Sequence, residues 1–384
     1  MRRLTASTRP RPFDVLGSRS LRMVFVLLLL WAILGLHPDT REAFLTSGNF
    51  TNLTAQVAEI VIVGVGMTFV ILIGGIDLSV GAGMALVGVV VAKLQIDQHL
   101  PAWAAIIAGV GVAGVVGLWH GVLVSRFQLP PFIATLGGLL AYRGLGLVLA
   151  DARGLAPMAD DFQWIGGKIG PVPSLALAAV GAALGIAFLV RREQQRRALE
   201  LPARGVGLAL SIGVSLTITA FLMTIYKDGM PVPVLLAAMA TACGALILRR
   251  TRLGRYASAI GGNAEAARLS GVPVARVTVL VYVLIAILTS IAALVAAARG
   301  NGVTPGNFGI NRELHVITAV VIGGTSLSGG RATIVGTVIG ALIFGTLSNG
   351  MNLLSVNSNW QLVLTGAILL AASLLDSPAL RRRQ

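Results

Sequence analysis

Long apolar runs recur along the whole of this 384-residue chain, at 21–36, 53–73, 78–96, 102–124, 132–150, 174–190, 205–226, 232–248, 277–298, 314–324, 331–350 and 360–375. A helix needs about 20 apolar residues to cross the hydrocarbon core of a bilayer. Inside lipid each backbone N–H and C=O must be satisfied internally, which leaves helices and closed barrels as spanning structures. The runs therefore predict an all-α integral membrane protein, a polytopic bundle of roughly ten to twelve transmembrane helices. Composition agrees: 12% of residues are charged and 55% are hydrophobic, against about 25% charged in soluble domains. The 47 glycines suit close helix packing in lipid, where small residues let backbones approach. The run 314–324 is too short to cross alone and leads into Gly323-Gly324-Thr325-Ser326-Leu327-Ser328-Gly329-Gly330. It reads as a broken or short helix near the centre, its freed backbone buried in protein.

The formal charge is +15, and its distribution argues against nucleic acid as a partner. Arginines cluster in 1–22, 191–204, 249–276 and 381–383, each beside an apolar run. That is the positive-inside pattern of a chain embedded in the lipid bilayer. It places those segments and both termini on the cytoplasmic side, and 37–52, 151–173, 227–231 and 299–313 outside. An even number of crossings follows. The basic N-terminus continues into Leu21–Leu36 with no clear small-residue cleavage site, so a first span is expected there rather than a cleaved signal. The single cysteine, Cys243, excludes an internal disulfide and a cysteine metal site. The expected organisation is one polytopic domain over 1–384, with a basic cytoplasmic tail at 1–20, a cytoplasmic loop at 249–276 and an extra helical pair within 151–231.

The loop holds Gly261-Gly262-Asn263-Ala264-Glu265-Ala266-Ala267-Arg268-Leu269-Ser270-Gly271. A short helix with a glycine stop is expected there. It reads either as a docking surface for a cytoplasmic partner or as an ordinary loop. Asp77 follows the uncharged run 61–76. A carboxylate at membrane depth is expensive and usually faces a partner or an aqueous cavity. Asp77 reads equally as a pathway group or as an N-cap for a helix starting at Leu78. Gly74-Gly75-Ile76-Asp77-Leu78-Ser79 echoes Gly323-Gly324-Thr325-Ser326-Leu327-Ser328, and interrupted segments in two halves can mark a central pathway. Ser79, Thr325 and Ser326 enter the candidate pathway on that ground. Asn349 and Asn352 share a helix face and offer amides to a hydroxyl-rich substrate or to a neighbouring helix. Glu59 is placed at the external interface, and Glu313 at a helix N-terminus. His37, His99, His120 and His315 are too scattered for a metal site. No phosphate loop, nucleophile elbow or His-Glu-x-x-His is present. No chain of buried carboxylates and histidines suggests a proton relay.

Several segments together resemble the membrane permease subunit of bacterial ATP-binding-cassette sugar importers of the ribose/xylose class. They are Gly74 to Gly81, Leu129-Pro130-Pro131-Phe132-Ile133-Ala134-Thr135-Leu136, Ala259 to Gly271, Val321 to Gly330 and Asn349-Gly350-Met351-Asn352-Leu353-Leu354. The added pair within 151–231 looks like the xylose branch. Pro130-Pro131 departs from the single proline expected there, which touches only a local turn. The resemblance implies a bacterial inner-membrane, multi-pass subunit with a second permease copy, a cytoplasmic ABC ATPase and a periplasmic or external sugar-binding protein. It implies that Glu265, Ala266, Ala267 and Gly271 couple to the ATPase. It implies no cofactor on this chain, ATP being used by the partner. Rival readings are a permease for branched-chain amino acids or nucleosides, and a secondary transporter or facilitator acting alone. A membrane-embedded enzyme is disfavoured by the missing catalytic constellations.

Overall fold

The computed structural model describes residues 19–198, 224–227 and 229–376. Their helices, in chain order, are α1 (Arg19–Leu36), α2 (Arg41–Phe44), α3 (Ser47–Leu72), α4 (Val80–Ile96), α5 (Ala102–Ser125), α6 (Pro131–Leu149), α7 (Asp160–Gln163) and α8 (Pro171–Ala198). There follow α9 (Val232–Arg250), α10 (Arg252–Gly262), α11 (Ala264–Leu269), α12 (Val274–Arg299), α13 (Arg312–Ile322), α14 (Ile334–Leu353) and α15 (Ser358–Asp376). Among the described residues extended pairing is limited to two isolated bridges, Leu155 with Val303 and Lys168 with Pro231.

The all-α membrane architecture is present. Six described helices, α3, α5, α6, α9, α12 and α14, are long and apolar enough to cross a membrane. Shorter apolar helices lie at Leu21–Leu36, Val80–Ile96, Pro171–Ala187 and Ser358–Leu374. The run predicted at 205–226 falls outside the described residues, and with it the second member of the added pair.

Three expectations need correction. The helix expected from residue 78 starts at Val80, because Leu78 and Ser79 are engaged in turn contacts. The basic 191–197 stretch is no loop: α8 continues through it to Ala198, as its Arg, Glu and Gln residues are good helix formers. The 249–276 segment holds two helices rather than one. Thr251 caps α10 by accepting from Gly254 N at 3.4 Å, and Gly254, Ala257 and Ile260 turn one buried stripe inward.

Helix α3 is the hub. It is buried over nearly its whole length and packs against α9, α12, α13 and α14. Lipid gives no hydrophobic drive to helix association, so close van der Waals contact must supply it. The α5–α12 seam shows how: a Cβ on Gly117 would stand 2.7 Å from the Tyr282 carbonyl oxygen and from Val283 Cα. Glycine there lets the two backbones meet.

Two helices end on the same device. Gly74 N donates to Ile71 O (2.9 Å) and Gly75 N to Val70 O (2.9 Å). Gly324 N donates to Val321 O (2.9 Å) and Thr325 N to Val320 O (3.3 Å). Gly74 has φ +84° and Gly324 φ +90°, the left-handed stop that glycine provides without strain. The backbone thus pairs Gly74 with Gly324, one residue out of step with the sequence echo, which aligned Gly74 with Gly323.

Candidate functional site

The break after α3 carries Asp77 into the bundle. Asp77 is buried, and its Oδ1 accepts from Ser79 N (2.8 Å) and Ser79 Oγ (2.6 Å). The carboxylate therefore caps the turn before α4, and Ser79 is the residue that precedes the helix. Ser79 Oγ lies 3.5 Å from His120 Nδ1, and His120 Nε2 lies 3.2 Å from the Tyr142 hydroxyl. Asp77, Ser79, His120 and Thr289 border a cavity of about 20 Å³, room for one water-sized molecule. Ala113 and Thr289, which border it too, come from the middle of α5 and α12, so this small cavity sits at mid-bundle, with His120 nearer the C-terminal end of α5. The Thr289 hydroxyl has no hydrogen-bond partner. Sequence reasoning set His120 aside as scattered; only the fold brings it to Ser79.

The second break is built differently. Thr325 is fully buried with an unpartnered hydroxyl, and Ser326 Oγ pairs with Ser328 Oγ at 2.9 Å. The chain then turns so that Gly330 N donates to Leu72 O at 3.0 Å. Gly261 of α10 lies against the same spot: a Cβ on it would collide with the Leu72 carbonyl and the Gly330 amide. Thr325 and Ser326 thus lie near the end of the bundle that carries the basic segment, where α3 also ends.

Asn349 and Asn352 do not act together. Asn349 exchanges amide bonds with Asn49, Nδ2 to Oδ1 at 2.8 and 3.2 Å. Asn352 Oδ1 accepts from Gln361 Nε2 at 2.9 Å. Both tie α14 to neighbouring helices, the packing role that intramembrane amides commonly take.

At the basic end α11 is a capped, exposed turn of helix. Asn263 Oδ1 accepts from Ala266 N at 2.9 Å, and Gly271 ends the segment at φ +81°. Glu265 pairs with Arg268 on the surface at 2.8 Å, which raises the Arg268 pKa. Glu265, Ala266 and Gly271 are exposed, whereas Ala267 is buried. Leu269, beside them, is 79% exposed, an apolar side chain left in a polar setting.

The strongest charge cluster was misread from sequence. Glu59, expected at an interface, is 3% exposed midway along α3. Its Oε1 accepts from Arg299 Nη1 at 2.6 Å, and Arg312 Nη2 stands 2.9 Å from Oε2. The arginines flank the 300–311 connection between α12 and α13. Arg143 of α6 holds the same connection, donating to the carbonyls of Pro305 (2.9 Å) and Phe308 (2.6 Å). A cavity of about 530 Å³ opens between Gln56, Glu59, Met84, Arg299, Asn307 and Arg312. A neighbouring one of about 330 Å³ shares Gln56, Asn307 and Arg312 and adds His315 and Ser348. Helix α4 packs tightly on the same connection: a Cβ on Gly81 would collide with the Gly309 carbonyl and the Glu313 carboxylate. Among the described residues no cluster of His, Cys, Asp or Glu suits a metal ion.

A family described as branched-chain amino acid transport system / permease component matches residues 49–373. The chain is 34% identical to the xylose transport system permease protein of Haemophilus influenzae over 370 residues, 94% of this chain and 98% of the relative. It is 35% identical to the protein of that name in Escherichia coli K12, over 96% of this chain and 95% of the relative. The ribose import permease protein of Bacillus subtilis 168 is 36% identical over 92% of this chain and 90% of its own length. No solved structure matches the chain.

Proposed function

Because this chain belongs to the family described as branched-chain amino acid transport system / permease component, we propose that it is the permease subunit of an ATP-binding-cassette importer for a monosaccharide, xylose or a related pentose or hexose. The observation that carries this reading is end-to-end similarity to permeases named for xylose and ribose. The chain is a transport subunit and not an enzyme, ATP being spent by a separate ATPase. An external binding protein delivers the sugar. The protein is multi-pass in the bacterial inner membrane with both termini cytoplasmic, and two copies form a homodimer.

In this reading α11 is the contact for the ATPase. Exposed Glu265, Ala266 and Gly271 surround the protruding Leu269, which supplies an apolar peg. Ala267 supports the helix from beneath. Alternating access follows if ATPase and binding protein each favour one of two states, since a ligand shifts an equilibrium only through differential affinity. Asp77 and Ser79, beside a mid-bundle cavity, are the inner pathway candidates. Thr325 and Ser326 are retained there on the duplicated break, while Asn349 and Asn352 serve packing.

The test is reconstitution. Permease, cognate ATPase and binding protein in liposomes should take up labelled xylose only with ATP. Passive flux by the permease alone would mark a facilitator, and uptake of leucine instead of an aldose would move the chain to the amino-acid side of its family. Sidedness has its own check: Ser270→Cys in a Cys243→Ser background should resist impermeant thiol reagents added outside intact cells, and ready external labelling would invert the topology.

A further inference from the structure

We propose that the paired cavities around Glu59 and Arg312 form a binding site for a neutral polyhydroxylated solute, with Arg312, Asn307 and Gln56 as its recognition groups and Glu59 positioning Arg312. The inference rests on the sugar-import reading and places the substrate away from the Asp77 region that the sequence favoured.

Four observations carry it. The larger cavity holds about 530 Å³, inside the range of about 300–1,000 Å³ usual for small-molecule sites. Its wall is polar within an apolar bundle, and intramembrane ionisable groups mark solute pathways. Glu59, buried and paired with Arg312 Nη2 at 2.9 Å, holds that guanidinium at the cavity wall. Gln56 and Asn307 are exposed to the cavity.

The chemistry selects the ligand class. A hydroxyl donates and accepts at once. It can give its proton to the carboxamide oxygen of Gln56 or Asn307 while its oxygen takes one from the Arg312 guanidinium or a carboxamide N–H. Successive hydroxyls on a sugar repeat that pattern along a wall offering both. One carboxylate between two guanidiniums leaves a single surplus positive charge, which disfavours the ammonium group of an amino acid. The same surplus would attract an anion, so an acidic sugar is the competing ligand that the test must separate.

The test uses the reconstituted complex. Glu59 and Arg312 hold the fold as well, so the informative variants are Asn307→Leu and Gln56→Leu, which keep the ion pairs. Each should raise the concentration for half-maximal sugar uptake about threefold to tenfold, the worth of a hydrogen bond, with expression and ATPase association intact. Asn307→Cys in a Cys243→Ser background should be labelled by an impermeant thiol reagent and protected by xylose at high concentration. Xylonate and leucine should protect less. Wild-type uptake of xylose with no change in either leucine variant and no protection of Asn307→Cys overturns this site alone. Better protection by xylonate overturns the neutral ligand. A wild-type complex that carries no aldose removes the reading beneath both.

Discussion

The breaks after α3 and α13 share one backbone and two environments. Both stop on a left-handed glycine with the same pair of cap bonds. After Gly74 the chain delivers a buried carboxylate to mid-bundle, satisfied by Ser79 and close to His120. After Gly324 it delivers Thr325, whose hydroxyl finds no partner, and then returns to touch Leu72 and Gly261. The repeated element is the stop itself. What each copy does is decided by the residues that follow: after Gly74 a carboxylate that caps the turn into α4, after Gly324 a turn that returns to the end of α3.

The largest effect should come from the contact where the two breaks meet, at Leu72, Gly261 and Gly330. Gly261→Leu forces a side chain into the Leu72 carbonyl and Gly330 amide, and overpacking of this kind costs about 1–3 kcal/mol or more. Thermal unfolding of the purified protein should drop accordingly, with loss of ATPase co-purification. An unchanged melting curve would dissolve the link between the break and α10. Asp77→Asn comes next. It keeps an oxygen for the Ser79 bonds and loses the charge, so capping alone predicts normal uptake. A pathway role predicts a fall of about tenfold or more, the worth of a charged hydrogen bond, with expression and ATPase association intact. Gly74→Ala and Gly324→Ala should then cost comparable stability, about 1–2 kcal/mol each, since both force a Cβ into left-handed backbone. A large inequality in thermal stability would show that the two stops are alike only in outline. The smallest effect belongs to Thr325→Val. Removing an unpartnered buried hydroxyl should be neutral or stabilising by up to about 1 kcal/mol; unchanged uptake would remove Thr325 from the pathway, whereas lost transport would give the second break a polar role equal to the first.

The bundle was largely legible because membrane spans announce themselves by length and composition. The expected 102–124 is Ala102–Ser125, and 277–298 is Val274–Arg299. The glycine stop at Gly271 was equally readable, since a helix-then-glycine pattern is local. Contacts between distant segments were not. Glu59 was assigned to an interface because its partners, Arg299 and Arg312, lie far along the chain and no spacing rule connects them. His120 looked isolated for the same reason. Ala267 matched its neighbours in sequence and differs only in facing inward, a matter of helix phase over a surface that sequence does not reveal. Asn349 and Asn352 share a helix but reach different partners, Asn49 and Gln361.

The bridge between Lys168 and Pro231, reinforced by Ile169 N to Met230 O at 3.0 Å and Met230 N to Ser174 Oγ at 2.7 Å, has an evolutionary consequence. The two ends of the stretch between them already meet. Changes in the length of that stretch therefore need not move Lys168 or Pro231, the two points at which it leaves and rejoins the bundle.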